Sequence, residues 1–331
     1  MTNRRQFLRN ASIVAATGVL AANSNLSAAV SANQKASKPK ANASKVNKSF
    51  GLQIYSLTVA ERQGDREFSN DVPGGLKRVA AMGYTTIELA GYNMEGKIGA
   101  VPMPEFKKYA DDAGLKIVSS HLNPPYREYS KDNLEGIKDF WKKAADRHAA
   151  IGCKYIIQPG EPVMRNTEEV AFVGQVFNEA GKIAKAAGLI FGYHNHSGEY
   201  VRVVPRGREA LPADWRWGKF PEGAKMVYDG MIEATDPSLV IFENDVYWTV
   251  MGQQDPVAYM KKYADRIRVL HIKDVTVLGK SGMMNFQKIF ETAYANGIQD
   301  FFVELEENNG RPQFEGVKGC ADYLLKADFV K

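Results

Sequence analysis

Apolar runs alternate with amphipathic segments along the chain from Phe50 onward. Eight of these runs are four to six residues long and rich in Val, Ile, Phe and Tyr, which predicts β-strands rather than helices. The predicted strands are residues 51–56, 85–90, 116–121, 154–158, 189–194, 240–245, 268–272 and 301–304.

The segments between the strands carry apolar residues three and four positions apart, a spacing that predicts helices. These segments are residues 73–82, 104–113, 134–151, 167–187, 256–264 and 286–296. Glycine often ends a helix in a left-handed conformation, and Gly114, Gly152, Gly188 and Gly297 each directly follow one of these segments.

Strands that alternate with helices indicate parallel βαβ units. Eight such units in residues 49–331 match a single closed (β/α)8 barrel, or TIM barrel, whose usual size is roughly 250 residues. An open, doubly wound α/β sheet is the alternative, and a Gly-x-Gly-x-x-Gly motif after the first strand would favour it. Residues 51–56 lead into no such motif, so we expect a TIM barrel.

The connection between the fifth and sixth predicted strands, residues 200–237, is longer than an ordinary loop and helix. It contains Trp215 and Trp217. An extended loop on the catalytic face would form a lid or a substrate rim, because such loops in barrels often carry function. The alternative is a surface excursion whose tryptophans pack down on the barrel, and the sequence leaves both open.

The first 48 residues differ in composition from the rest. Residues 1–32 contain Arg-Arg-Gln-Phe-Leu-Arg at positions 4–9, then a mildly apolar run and small residues, which resembles a twin-arginine signal peptide. Residues 33–48 lack aromatic residues and predict a flexible linker. We therefore expect export, to the periplasm, without stable membrane insertion.

The overall net charge of +5 arises from that N-terminal region. Residues 1–48 hold eight basic residues and no acid, which leaves 35 basic and 38 acidic residues in the remainder. A slightly acidic domain without a basic stripe argues against nucleic acid as a partner. The only two cysteines, Cys153 and Cys320, do not make a disulfide scaffold, and Cys153 is expected to be a buried thiol.

Reacting groups of TIM barrels lie at the carboxyl ends of the strands. Residues of metal-ligand or acid–base type at or just after these ends are Glu88, His121, Glu161, His194, His196, Glu243, Asp245, His271, Lys273, Glu304 and Glu306. Four of the five histidines are in this set. The fifth, His148, lies in a predicted helix and is expected to be solvated and without a role.

Alternation along the last four strands places pairs of these residues on one face. One member from each strand gives a four-ligand set, His194, Asp245, His271 and Glu304. Imidazole and carboxylate together suit Mn²⁺, Co²⁺, Fe²⁺ or Zn²⁺ better than Mg²⁺. Without thiolates, such a site is expected to be catalytic rather than structural.

At these residues the chain resembles the xylose isomerase-like barrels, the sugar isomerase/epimerase superfamily. The motifs are Gly192-Tyr193-His194-Asn195-His196 with Glu199, Asn244-Asp245-Val246-Tyr247-Trp248, Asp255-Pro256, Val269-Leu270-His271-Ile272-Lys273-Asp274 and Phe302-Val303-Glu304. The resemblance implies one divalent metal ion held at the ends of strands five to eight, with Asp245, His271 and Glu304 matching the family's ligands.

The chain departs from the family at strand five, where the ligand is usually Glu and His194 stands here. That change removes one of the two carboxylates that such epimerases use as paired bases. Glu199 or Glu161 is a candidate to supply the missing carboxylate. Substrate contacts are expected from Glu88, His121, Glu161 and Trp248.

The expected reaction is removal of a proton next to a carbonyl on a neutral sugar, because export argues against sugar phosphates. Glu304, or failing that His196, is the expected base, with Glu199 as a further catalytic candidate. Lys273 would stabilise the developing negative charge, or it pairs with Asp274 or another carboxylate.

Return of the proton gives isomerisation or epimerisation, whereas loss of a β-substituent gives elimination, as in relatives that cleave 3-keto-glycosides. A sugar-binding barrel without catalysis is the alternative of another class. An endonuclease-type barrel would want a basic surface and more histidines. The expected partner is a small carbohydrate, and no oligomeric state is predicted.

Overall fold

The computed structural model describes residues 48–208 and 220–331. The expected signal peptide, nearly all of the expected linker, and Trp215 and Trp217 lie outside these residues. Lys48, assigned above to the linker, donates hydrogen bonds from Nζ to the carbonyl oxygens of Leu324 and Leu325. Lys48 therefore links the start of the described domain to the last helix of the chain.

Eight parallel strands close into a barrel, which confirms the TIM-barrel prediction. The last strand pairs with the first, through Gly51 opposite Phe302 and Leu52 opposite Val303. The strands are β1 (Gly51–Gln53), β2 (Thr86–Leu89), β3 (Lys116–His121), β4 (Tyr155–Gln158), β5 (Ile190–His194), β6 (Val240–Asp245), β7 (Ile267–Lys273) and β8 (Asp300–Glu304).

Helices surround the barrel between these strands. They are α1 (Tyr55–Thr58), α2 (Glu67–Asn70), α3 (Val72–Ala81), α4 (Met103–Asp112), α5 (Leu134–Ala150), α6 (Thr167–Ala186), α7 (Val227–Ala234), α8 (Val246–Met251), α9 (Pro256–Lys262), α10 (Phe286–Ala295) and α11 (Gln313–Lys326). Two 3₁₀ helices span Val59–Gln63 and Gly198–Tyr200. In the described part of the chain no helix is long and apolar enough to cross a membrane.

Away from the carboxyl ends of the strands, the barrel interior is apolar. Tyr155, Ile157, Val269 and Phe302 form a cluster separate from the core between the sheet and the helices. A Cβ atom on Gly51 would lie 2.5 Å from a ring carbon of Phe302, so a glycine in β1 is what lets this ring close the barrel. Two and four positions beyond Val269 and Phe302, strands β7 and β8 carry polar residues to the carboxyl ends, namely His271, Lys273, Glu304 and Glu306.

The first strand and the connection 200–237 differ from the prediction. Strand β1 ends at Gln53 rather than at residue 56, because Ile54 already has helical backbone angles and α1 follows. The connection 200–237 contains an unpredicted helix, α7, which follows a short hairpin of Arg202–Val203 and Lys225–Met226. Asn178 of α6 holds α7 in place by accepting from the Asp236 backbone N–H at 2.7 Å.

His148 corrects the expectation of a solvated helix residue. Its side chain is fully buried, and its ring nitrogens lie 2.7 Å from the carbonyl oxygen of Ala144 and 3.0 Å from the hydroxyl of Ser120. Burial lowers the pKa of His148 to about 4, so the ring is neutral and joins α5 to β3. The expected burial of the Cys153 thiol is confirmed.

Candidate metal centre and active site

The four ligands predicted from the strand ends come together in the structure. His194 ends β5, Asp245 ends β6, His271 lies near the end of β7, and Glu304 ends β8. One ligand atom from each lies within 4.8 Å of the others, and all four side chains are buried. The barrel therefore gathers two imidazoles and two carboxylates around one point, although their binding of a metal stays a prediction.

Two of these side chains leave a buried polar atom unused. Asp245 Oδ1 accepts a hydrogen bond from the Trp248 backbone N–H, whereas Asp245 Oδ2 has no partner among the described residues. His271 Nδ1 likewise has none there, and it lies 3.5 Å from Glu304 Oε2 and 3.9 Å from Asp245 Oδ2. A buried polar atom without a partner costs about 1–3 kcal/mol. A bound cation would satisfy both, so the residues fit a divalent metal.

A second set of buried groups lies beside these ligands and centres on Glu243. Its Oε2 atom lies 2.7 Å from His121 Nε2, 3.1 Å from His194 Nδ1 and 3.3 Å from His271 Nε2. The predicted ligand set does not include Glu243, because it contains one residue from each strand and Asp245 represents β6. The signal was present, since alternation puts Glu243 on the same face as Asp245.

Glu88, expected to contact substrate, lies below the histidines rather than in a cavity wall. Its side chain is fully buried. Glu88 Oε2 lies 2.6 Å from His271 Nε2 and accepts from Gln53 Nε2 at 2.7 Å, and Oε1 accepts from the Ser119 hydroxyl at 2.6 Å. Donors therefore contact both oxygens of Glu88, and its side chain is not part of the wall of the cavity described below.

Lys273 is paired with two carboxylates, not with Asp274. Its Nζ lies 2.9 Å from Glu304 Oε2, also bonds to Glu306, and lies 5.0 Å from the centre of the Trp248 ring. Although burial opposes it, the Lys273 ammonium and His271 hold the pKa of the Glu304 carboxyl well below its usual range. Glu304 is therefore ionised and only weakly basic, and the weak basicity suits a metal ligand better than a base.

Burial and neighbouring carboxylates determine the ionisation of the other three ligands. Burial lowers the pKa of His194 well below its ordinary value and leaves a neutral ring. Burial raises the pKa of Asp245 to about 7, against the opposing effect of Lys273. Burial alone would lower the pKa of His271, but the Glu243 and Glu88 carboxylates raise it well above its ordinary value.

A cavity of about 380 Å³ opens above this centre. Its wall includes His121, His194, His196, Trp248, Glu304 and Glu306. His121 and Trp248, two of the expected substrate contacts, are thus in the wall, and the indole N–H of Trp248 has no partner among the residues described. Glu306, to which sequence reasoning gave no role, supplies a second carboxylate there.

The loop after β5 presents His196 to the cavity and holds Glu199 behind it. Glu199 accepts from the Tyr193 hydroxyl at 2.5 Å and from the His196 backbone N–H at 3.0 Å, and its side chain is fully buried. Burial and the nearby Glu161 raise the pKa of Glu199 to about 7. Neither Glu199 nor the exposed Glu161 is part of the cavity wall. The structure thus puts Glu306, rather than either of these, beside the substrate space.

Comparison with known proteins agrees with this architecture. Residues 76–326 match the family model described as xylose isomerase-like TIM barrel. An inosose dehydratase of Geobacillus kaustophilus is 25% identical over 255 residues, which cover 70% of this chain and 73% of that protein. An inosose dehydratase of Clostridium beijerinckii is 28% identical over 227 residues, or 61% of this chain and 69% of that one.

Solved structures show the same fold. A crystal structure described as a sugar phosphate isomerase/epimerase from Parabacteroides distasonis is 50% identical, with a TM-score of 0.78 over 86% of this chain and all of that one. A D-psicose 3-epimerase from Clostridium cellulolyticum is 14% identical with a TM-score of 0.57, and shows a shared fold alone. The resemblance found in the strand-end motifs is confirmed, and the chain belongs to the xylose isomerase-like TIM barrel family.

Proposed function

We propose that this protein is a divalent-metal-dependent isomerase or epimerase that removes a proton next to a carbonyl on a neutral sugar. The observation that carries the proposal is the convergence of His194, Asp245, His271 and Glu304 below an open cavity, with two buried ligand atoms unused. Mixed imidazole and carboxylate donors favour Mn²⁺, Co²⁺, Fe²⁺ or Zn²⁺ over Mg²⁺. When bound, such an ion polarises a carbonyl oxygen as a Lewis acid.

His196 is the base that the geometry supports best. Its imidazole reaches the cavity, and neither ring nitrogen is hydrogen-bonded to the described part of the chain. Glu304, the other candidate, already accepts from Lys273 at 2.9 Å. The Glu199 carboxylate fixes the backbone of His196, and this limits where the ring can move.

The Lys273–Glu306 pair supplies the second acid–base group. Glu306 is part of the cavity wall and its side chain is 35% exposed, whereas Lys273 is almost completely buried behind it. The ammonium of Lys273 stabilises negative charge as the proton leaves. A histidine and a carboxylate would thus replace the two carboxylates of related epimerases, because His194 stands where the family usually has Glu.

The charges of the wall support a neutral substrate. Glu304 and Glu306 line the cavity, and its lining contains no arginine or lysine among the residues described. The nearest ammonium, Lys273, already pairs with both carboxylates. A phosphate group in this space would meet negative charge without a free cation, which costs binding energy. The sugar phosphates named for the Parabacteroides relative therefore suit this cavity poorly.

Elimination is the second candidate, and two observations favour it. The curated relatives are inosose dehydratases, and the strand-five ligand is an imidazole. In this reaction a C–H proton passes to His196, a C=C bond forms, and the C–O bond to the β-substituent breaks. The leaving oxygen takes this proton from the protonated His196. Loss of an aglycone from a 3-keto-glycoside forms and breaks the same kinds of bond.

One experiment separates these outcomes. The purified domain is incubated with Mn²⁺ in D₂O with neutral aldoses, ketoses, inososes and 3-keto-glycosides, and NMR follows each sugar. Deuterium beside the carbonyl with an intact sugar supports isomerisation or epimerisation, and an unsaturated product with a released group supports elimination. If a sugar binds but no sugar of the panel exchanges a proton for deuterium, the protein is a non-catalytic sugar-binding barrel and the proposal is contradicted.

Export through a twin-arginine signal, to the periplasm, is a further part of the proposal. It rests on residues 1–32 and agrees with a neutral substrate. Fractionation of cells that produce the full chain tests it, since replacement of Arg4 and Arg5 by lysine is expected to keep the protein in the cytoplasm.

A further inference from the structure

Below the metal ligands, two buried carboxylates are placed against the histidine rings. Glu88 Oε2 lies 2.6 Å from His271 Nε2, and Glu243 Oε2 lies 3.1 Å from His194 Nδ1. Both carboxylates have no exposed surface. In each histidine the ring nitrogen that faces away from its carboxylate is left for the metal.

We infer that Glu88 and Glu243 are positioning residues, which hold His271 as the Nε2–H tautomer and His194 as the Nδ1–H tautomer. A carboxylate only accepts, so the ring nitrogen that faces it must carry the proton. A divalent cation that binds then replaces the second proton of the His271 ring at Nδ1, which no described group accepts, and takes the lone pair of His194 Nε2. The inference rests on the proposed metal-dependent function, and it concerns how the ligands are prepared.

The surroundings of Glu88 direct its carboxylate towards the histidine rings, since His121 Nε2 also lies 3.2 Å from Oε2. Gln53 Nε2 and His271 Nε2 donate to one oxygen and the Ser119 hydroxyl to the other. The orientation of the Gln53 amide is itself fixed, because Gln53 Oε1 accepts from the Tyr55 backbone N–H at 3.0 Å. Glu88 is therefore an ionised acceptor that cannot turn away from His271.

The rings are also packed against one another. His271 stacks on His121 with ring centres 5.0 Å apart and an angle of 12° between the planes. His194 meets His271 edge-on with ring centres 4.4 Å apart. This packing opposes rotation of the rings, so the nitrogen that carries the proton decides which nitrogen faces the metal. Carboxylates that orient metal-binding histidines commonly change metal affinity about 10- to 100-fold when removed.

Two substitutions at one position separate the hydrogen bond from charge and from packing. Glu88→Gln keeps an acceptor towards His271, because its amide nitrogen can face the Ser119 hydroxyl, which accepts as well as donates. Glu88→Met fills a similar volume without an acceptor. Glu161→Gln serves as the control, since it removes an exposed carboxylate that contacts no histidine.

The test is Zn²⁺ and Co²⁺ affinity of the full domain by calorimetry, with the Co²⁺ visible spectrum as a second readout. We expect Glu88→Met to bind at least about 10-fold more weakly with an altered Co²⁺ spectrum, and Glu88→Gln to stay within about threefold of the wild type. Equal affinity of Glu88→Met and the wild type would overturn the inference, as would equal losses in both variants. Absence of metal binding by the wild type would instead refute the proposed function.

Nitrogen-15 NMR of the Zn²⁺-loaded wild type gives a result even if Glu88→Met does not fold. The inference predicts one ring N–H on His271, at Nε2, and one on His194, at Nδ1. A proton on the opposite nitrogen of either ring would contradict it.

Discussion

The carboxylate of Asp245 serves helix α8 and the candidate metal centre at the same time. Its Oδ1 atom accepts from the Trp248 backbone N–H at 2.8 Å and caps the helix, while its Oδ2 atom is buried and has no partner in the described part of the chain. One side chain thus couples the start of a helix to the ligand set, and the two roles can be separated by substitution.

Asp245→Asn is expected to keep the cap and remove the ligand. The amide oxygen can still accept from Trp248, but an NH₂ group replaces Oδ2. The affinity for Zn²⁺, measured by calorimetry, should fall at least about 10-fold, because losing a ligand costs at least as much as losing a group that orients one. The metal-free variant should melt no lower than the metal-free wild type, since burial penalises this carboxylate and raises its pKa to about 7.

Asp245→Ala is the matched comparison. It loses the cap as well, which costs about 1 kcal/mol, or a few degrees in Tm for a domain of this size. If Asp245→Asn retained the wild-type affinity for Zn²⁺, Asp245 would be only a capping residue.

Lys273→Met is expected to cost more stability without metal than with it. Its removal leaves Glu304 buried and without its ammonium, and breaking a buried ion pair costs about 3–5 kcal/mol. Glu306 is 35% exposed and can turn to water, so it adds little to that cost. A bound cation would neutralise Glu304 in the loaded protein, so Zn²⁺ should raise the Tm of the variant more than that of the wild type.

The control for Lys273 is Lys262→Met, which removes an ammonium paired with Asp229 on the exposed side of the barrel. It is expected to change Tm by about the small amount typical of a surface ion pair, with or without metal. An equal gain from Zn²⁺ in Lys273→Met and the wild type would argue against metal binding at Glu304.

His196→Gln tests the proposed base. The side chain lines the cavity without holding other groups, so the variant should fold and bind metal as the wild type does. Loss of a general base commonly costs about 10²- to 10⁴-fold in rate, and kcat for deuterium exchange beside the carbonyl should fall by that order. Glu306→Gln is tested in parallel, and an unchanged kcat in His196→Gln with a large loss in Glu306→Gln would reverse the two roles.

The barrel could be predicted from the sequence because its signal is local. Each strand shows its own apolar run, and alternation within β6 and β7 places Asp245 and His271 on the inner face. The ligand set follows because every strand end meets at one place. The start of α1 could not be predicted, because residues 51–56 form one apolar run and only tertiary packing turns the chain at Ile54.

The roles of the buried carboxylates could not be assigned from spacing. Glu88 and Glu243 occupy the same inner positions as true cavity residues, and they differ only in depth along the strand. Depth depends on the register between neighbouring strands, such as Glu243 opposite His194, and no local pattern encodes it. His148 was assigned wrongly for a similar reason, since its helix pattern does not reveal that Ser120 of β3 packs against it.

The burial of His148 makes stability depend on pH. The unfolded chain titrates this imidazole near its ordinary 6.5, whereas burial lowers the pKa in the folded protein to about 4. Between these values the unfolded state binds the proton and the folded state does not, so stability falls as pH drops from 6.5 towards 4 and is fully present above 6.5. The interval corresponds to about 3 kcal/mol.

Urea denaturation of the metal-free protein at pH 7.5 and pH 4.5 measures this loss of unfolding free energy. The variant His148→Gln cannot take up the proton, so its unfolding free energy should fall by about that much less between the two pH values. An equal loss in both proteins would show that His148 is not the group responsible.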